Sequence, residues 1–119
     1  MRRSALSTGF LLAALGASAA TFVVTNTTDA GDATPGDGIC SWMTGICTLR
    51  AAIREANAWP GADVIQIAAG TYTLSIAGAG EELAVTGDLD IRDTVTIEGA
   101  SAATTVIDEA TAGALNTAP

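Results

Sequence analysis

The sequence predicts a mainly β fold with one amphipathic helix, and three observations point there. The 119 residues are 49% hydrophobic but only 4% aromatic, so Ala, Val, Ile and Leu carry the apolar character, and 13 Gly mark frequent bends. Beyond residue 62, apolar and polar residues alternate in short runs, the period of half-buried strands. Those runs recur. Ile65 and Ile67 map onto Leu89 and Ile91 at an offset of 24, and Tyr72 and Leu74 map onto Val95 and Ile97 at an offset of 23. Repeats of that length suit a β-solenoid, in which each coil stacks its inward side chains on the next. An antiparallel meander with the same spacing fits the pattern as well.

The elements follow in chain order. Arg2 and Arg3 precede the apolar stretch Phe10 to Leu15, and Ala17-Ser18-Ala19-Ala20 supplies the small residues that a signal peptidase accepts. Residues 1–20 therefore read as a signal peptide cut after Ala19 or Ala20. The apolar run is far below the roughly 18 residues that span a bilayer, so the expectation is a secreted or surface-associated protein with no transmembrane segment in its mature part. Removing Arg2 and Arg3 takes five basic groups to three against 13 acidic ones, and the net charge from −8 to −10. Such a surface repels phosphate backbones and argues against nucleic acid as a partner. The chain has no His and no Lys, which removes imidazole base catalysis, His-containing zinc sites and Schiff-base chemistry.

Residues 21–61 read as an N-terminal cap. Thr21 to Asn26 is β-branched and predicts a strand, and the Gly, Asp and Pro of residues 29–38 predict a loop. Cys40 and Cys47 fall in the exported part, without a His to complete a metal site and without C-x-x-C spacing, and they predict a structural disulfide. Leu49, Ala52, Ile53 and Ala56 stand at i, i+3, i+4 and i+7, which predicts a helix from Leu49 to Ala58 with Thr48 as its N-cap and Trp59-Pro60-Gly61 as its end. Arg50 and Arg54 are assigned to the polar face of that helix. Residues 62–119 then supply the first coils, with Val106-Ile107 as a further run.

Several of these stretches in one order carry a resemblance. Cys47-Thr-Leu-Arg-Ala-Ala-Ile-Arg-Glu-Ala-Asn-Ala58, Pro60-Gly-Ala-Asp-Val-Ile65, Ala69-Gly-Thr-Tyr-Thr-Leu74, Thr86-Gly-Asp-Leu-Asp-Ile91 and Val95-Thr-Ile-Glu-Gly99 resemble the CSLREA-type N-terminal domain of bacterial secreted proteins, including relatives of polymorphic outer-membrane proteins. The resemblance covers about Thr21 to Asp108. It implies a right-handed parallel β-helix whose N-terminal end is covered by the helix, and a non-enzymatic, adhesin-like capping or scaffold module that meets surface glycans or proteins. The alternative is the N-terminal part of a polysaccharide lyase or glycoside hydrolase of the β-helix class. One departure is local: Thr48 keeps the cap position, but Ala51 stands where the family's capping box has an acid, so one reciprocal hydrogen bond is lost. Another is length. Family members continue for many coils, and a chain ending at Pro119, with Leu115 the single large apolar residue of its tail, reads as a truncated portion whose open end invites self-association.

Candidate sites are few. Asp29, Asp32 and Asp37 are weak Ca²⁺ candidates, since a hard cation wants six to eight oxygens, and a solvated turn is the preferred reading of the same residues. Asp88 and Asp90 alternate with Leu89 and Ile91 and on a strand would share an outward face about 7 Å apart, which with Arg92 makes a weak carbohydrate-site candidate. The plainer reading is an outward polar face. Asn26-Thr-Thr28 fits a glycosylation sequon. No catalytic residue and no cofactor beyond a possible Ca²⁺ is assigned.

Overall fold

The computed structural model describes residues 18–78 and 80–110. The stretch Phe10 to Leu15, expected to belong to a signal peptide, and the tail containing Leu115 lie outside the described residues. The elements are β1 (Thr21–Val24), α1 (Leu49–Ala58), β2 (Asp63–Ile67), β3 (Gly70–Leu74), β4 (Val95–Gly99) and β5 (Thr105–Glu109).

β1 alternates outward Thr21 and Val23 with inward Phe22 and Val24, and β2 buries Asp63, Ile65 and Ile67 in the same rhythm. Both strands pair in parallel, with Phe22 opposite Ile65 and Val24 opposite Ile67. β4 adds to the other edge of β2, again in parallel, placing Ile97 opposite Ile65. β3 and β5 form a second, two-stranded parallel sheet in which Tyr72 faces Ile107. Parallel neighbours require long crossovers. The one from β1 to β2 holds the acidic loop, the disulfide loop and α1, and the one from β2 to β4 holds β3 and residues 75–94. The core gathers Phe22, Val24, Leu49, Ala52, Ile53, Ala56, Ile65, Ile67 and Tyr72.

The expected right-handed parallel β-helix is corrected by this architecture. Among the described residues there are two small parallel sheets and one helix, and no solenoid. The 23-to-24-residue repeat is not realised: β2 meets β4 at an offset of 32, Asp63 opposite Val95, and β3 meets β5 at an offset of 35, Gly70 opposite Thr105. Leu89 and Ile91, assigned to a strand by the repeat, lie in a segment of bends between β3 and β4, and Ile91 is exposed. Alternating polarity marks a strand only where a neighbour takes up the backbone hydrogen bonds, and residues 75–94 find helix side chains instead.

α1 starts where Thr48, in extended conformation, accepts a hydrogen bond from Ala51 N, and it ends at Trp59, whose N–H reaches Glu55 O. Thr48 also donates its hydroxyl proton to Ala30 O, which ties the helix start to the acidic loop. The segment before the helix runs beside the end of β1: Cys47 O accepts from Thr25 N and Asn26 N, and Asn26 bridges Thr48. Cys40 and Cys47 are joined in a disulfide with Cα atoms 5.2 Å apart. No helix of the described residues is long and apolar enough to cross a membrane.

Candidate functional site

Arg50 is completely buried, and this corrects its assignment to a solvated polar face. Its guanidinium grips Asp29 with two prongs, Nε to Oδ1 at 2.5 Å and Nη2 to Oδ2 at 3.1 Å. The remaining N–H groups donate to the carbonyls of Ala84 at 3.1 Å and Gly87 at 2.7 Å, and more distantly to Asp88 O at 3.4 Å. Asp29 in turn accepts from Ser75 N and Ile76 N. One planar, five-donor side chain thus joins the acidic loop and the helix to the middle of the 75–94 segment, and through Asp29 to its start, a task a lysine's point charge would not perform. Burial pushes the Asp29 carboxyl up, but hydrogen bonds from Arg50, Ser75 and Ile76 and the Arg50 charge outweigh it and hold the group below its ordinary value.

The opposite flank of α1 holds the acidic loop. Glu55 is also completely buried, and its carboxylate accepts from Gly36 N and Gly38 N at 2.9 Å. Gly36 and Gly38 have φ of +99° and +84°, a region side chains disfavour, and that conformation turns both N–H groups toward one carboxylate. Burial raises the Glu55 carboxyl above its ordinary value, with lesser help from Asp32 and Asp37 and against the pull of the Gly38 and Gly36 amides. Arg54 Nη1 donates to Asp32 O. Near the helix end, Asn57 clamps the 75–94 segment as a strand neighbour would, donating Nδ2–H to Asp90 O and accepting from Arg92 N, both at 2.8 Å.

The acidic candidates are therefore regrouped. Asp29 belongs to Arg50, and Glu55 takes its place beside Asp32 and Asp37, with one carboxylate oxygen of each lying within 4.8 Å of the others. These three are the residues that could hold a hard cation. Their oxygens already serve the loop: Asp32 accepts from Thr34 N and Ser41 N, and Asp37 from Ile39 N. Asp88 and Asp90 do not share a strand face. The Asp90 carboxylate accepts from Ala84 N within its own segment, and Arg92 Nη1 donates to Glu82 O. Arg92 does meet Arg54, across an open depression of about 390 Å³ also lined by Pro35, Asn57, Ala58 and Leu83. No protein-family model matches the sequence, no curated protein matches it, and no solved structure matches the fold.

Sequence reasoning missed Glu55 and Asn57. The stripe at Leu49, Ala52, Ile53 and Ala56 marks the face turned to the sheet, whereas Arg50 and Glu55 are buried by loops packed on the helix from its other sides. A signal was present in kind: glycines at Gly36 and Gly38 interleaved with Asp37 predict a loop with inward-turned N–H groups, which calls for a carboxylate somewhere in the chain.

Proposed function

We propose that the chain is a non-enzymatic structural module from the N-terminal part of a secreted or surface-associated protein, with α1 and its two tethered loops closing one side of the parallel sheets. The resemblance to CSLREA-type domains supports this, as does the engagement of Arg50, Glu55 and Asn57 with backbone groups of the chain itself. The observation that carries it is a gradient along one inward row. Phe22, Ile65 and Ile97 stand in register on β1, β2 and β4 and are 4%, 0% and 38% exposed. The row is sealed beside α1 and open at β4, and Val106 and Ile107 on β5 are exposed at the same end. A scaffold of this kind takes further strands or a protein partner at that edge, and surface glycans or proteins are the partners proposed for the larger protein.

The open edge gives the test. Light scattering coupled to size-exclusion chromatography should show concentration-dependent association of the chain, and the double substitution Ile97→Lys with Ile107→Lys should return it to a monomer. A wild-type chain that stays monomeric at high concentration overturns the reading. So does release of unsaturated products from pectate or alginate in the presence of Ca²⁺, if Arg92→Ala abolishes it.

A further inference from the structure

The buried group that the loop-tethering network leaves unexplained is Asp63. It is 1% exposed at the start of β2, where the β1, β2 and β4 chains run side by side. Its Oδ1 accepts from Ala20 N at 2.9 Å, and its Oδ2 has no hydrogen-bond partner among the described residues. The one ion pair among those residues, Arg50 with Asp29, lies elsewhere, so no cation of the described residues answers this carboxylate. Leaving a carboxylate oxygen buried without a donor is costly, and a peptide nitrogen offers only one proton. At Ala20 that proton already goes to Oδ1.

We infer that Ala20 is the first residue of the processed chain and that its α-ammonium group forms a buried ion pair with Asp63. The inference rests on the export reading and narrows it to one bond. Ala17 and Ala19 are the small residues that a leader peptidase would take three positions and one position before the cut, and Ser18 and Ala19 are exposed. Hydrolysis of the Ala19–Ala20 bond adds one water. The carbonyl carbon of Ala19 keeps the hydroxyl oxygen as a carboxylate, and the Ala20 nitrogen takes up both protons and becomes an ammonium. That group sits where the amide sat and carries three donors, enough for Oδ1 and Oδ2 together. A cut one residue later would remove the Ala20 carbonyl, which accepts from Val64 N at 2.9 Å, and would leave Asp63 with neither partner. The ladder thus begins at Ala20. Asp63 acts here as the anchor for the processed end, so cleavage tightens the shared start of the three strands.

Two experiments test this. The full-length chain is expressed in a bacterial host that exports it, and the product is sequenced from its N-terminus. Ala20 is the expected first residue. Thr21 or another first residue on an exported product overturns the placement while export stands, and a product that keeps residues 1–19 overturns the export reading and the cut together. Independently of export, a chain released from a fusion with a free Ala20 amine is compared in urea with the same chain N-acetylated, which restores the single amide proton. The acetylated form should have an unfolding constant at least about tenfold larger, and Asp63→Asn should shrink that ratio to less than about threefold. Equal constants for the free and acetylated chains overturn the ion pair, whether or not Asp63→Asn folds.

Discussion

Replacing Arg50 by Met keeps an unbranched apolar stem but removes the guanidinium that joins three parts of the chain. The Asp29 carboxylate, almost wholly buried, would lose both prongs of its partner and keep only the Ser75 and Ile76 amides. Removing one partner of a buried pair costs about 3–5 kcal/mol, and the carbonyls of Ala84 and Gly87, left without their donor, add about 1 kcal/mol or more each unless water reaches them. Water will reach them, because the 75–94 segment is otherwise held to the helix mainly by Asn57, so the expected net loss is about 4 kcal/mol. A domain of this size has a total stability of about 5–15 kcal/mol, so the variant should be marginal. Urea unfolding followed by Trp42 and Trp59 fluorescence measures it. With a slope of about 1–2 kcal/mol per molar urea, the midpoint should fall by about 2–4 M. Hydrogen exchange at Ser75 and Ile76 should rise ahead of exchange in β2, since those amides depend on Asp29 staying in place. Arg50→Lys keeps the charge without the fork and should recover less than half of the loss. A loss below about 1 kcal/mol for Arg50→Met, with Ser75 and Ile76 still protected, would refute the account of Arg50 as the junction of helix and loops.

Three further outcomes are expected. Glu55→Gln places an amide NH₂ against the amides of Gly36 or Gly38 and should cost about 1–3 kcal/mol in urea unfolding, with exchange at Gly36 and Gly38 rising first. Acid should act on Asp29 and Glu55 in opposite senses: the lowered Asp29 contributes stability that is present above the ordinary aspartate value and lost as pH falls through its folded value, whereas the contribution of the raised Glu55 is full below the ordinary glutamate value and lost as pH rises through its folded value. Urea midpoints between pH 2 and 6 should therefore show a shallower acid loss in Asp29→Asn and a steeper one in Glu55→Gln than in the parent chain. Reducing the Cys40–Cys47 disulfide should cost about 2 kcal/mol, measured as a midpoint shift with and without reductant, because it frees a short loop in the unfolded chain.

The parts of this protein that were legible in the sequence are those whose cause is local. The helix Leu49–Ala58 follows from a stripe of four apolar residues, a capping Thr48 and a Pro60 that ends it, all within a dozen positions. The cysteine pairing followed from there being two cysteines and no competing ligand. β1 and β2 alternate because one face of each is buried, and a period of two is visible in four or five residues.

Register was not legible. Leu89 and Ile91 carry the same alternation as Ile65 and Ile67, and the sequence alone offers no reason to prefer an offset of 24 over the 32 that the strands adopt. The choice depends on which segment finds a neighbouring strand and which finds Arg50 and Asn57, and those partners lie more than 30 positions away. The roles of the charged residues were hidden for the same reason. Asp29, Arg50, Glu55 and Asp63 have the composition of solvated surface groups, and only the packing of loops on the helix and of Ala20 beside β2 takes them out of water and assigns each a partner. Local patterning by itself determined the helix Leu49–Ala58, the loop of residues 29–38 and the alternation of β1 and β2, because backbone geometry and amphipathicity are short-range. Tertiary structure alone decided register, the burial of charge and the edge position of β4 and β5 among the described strands, because each is set by contacts between segments that the chain order keeps far apart.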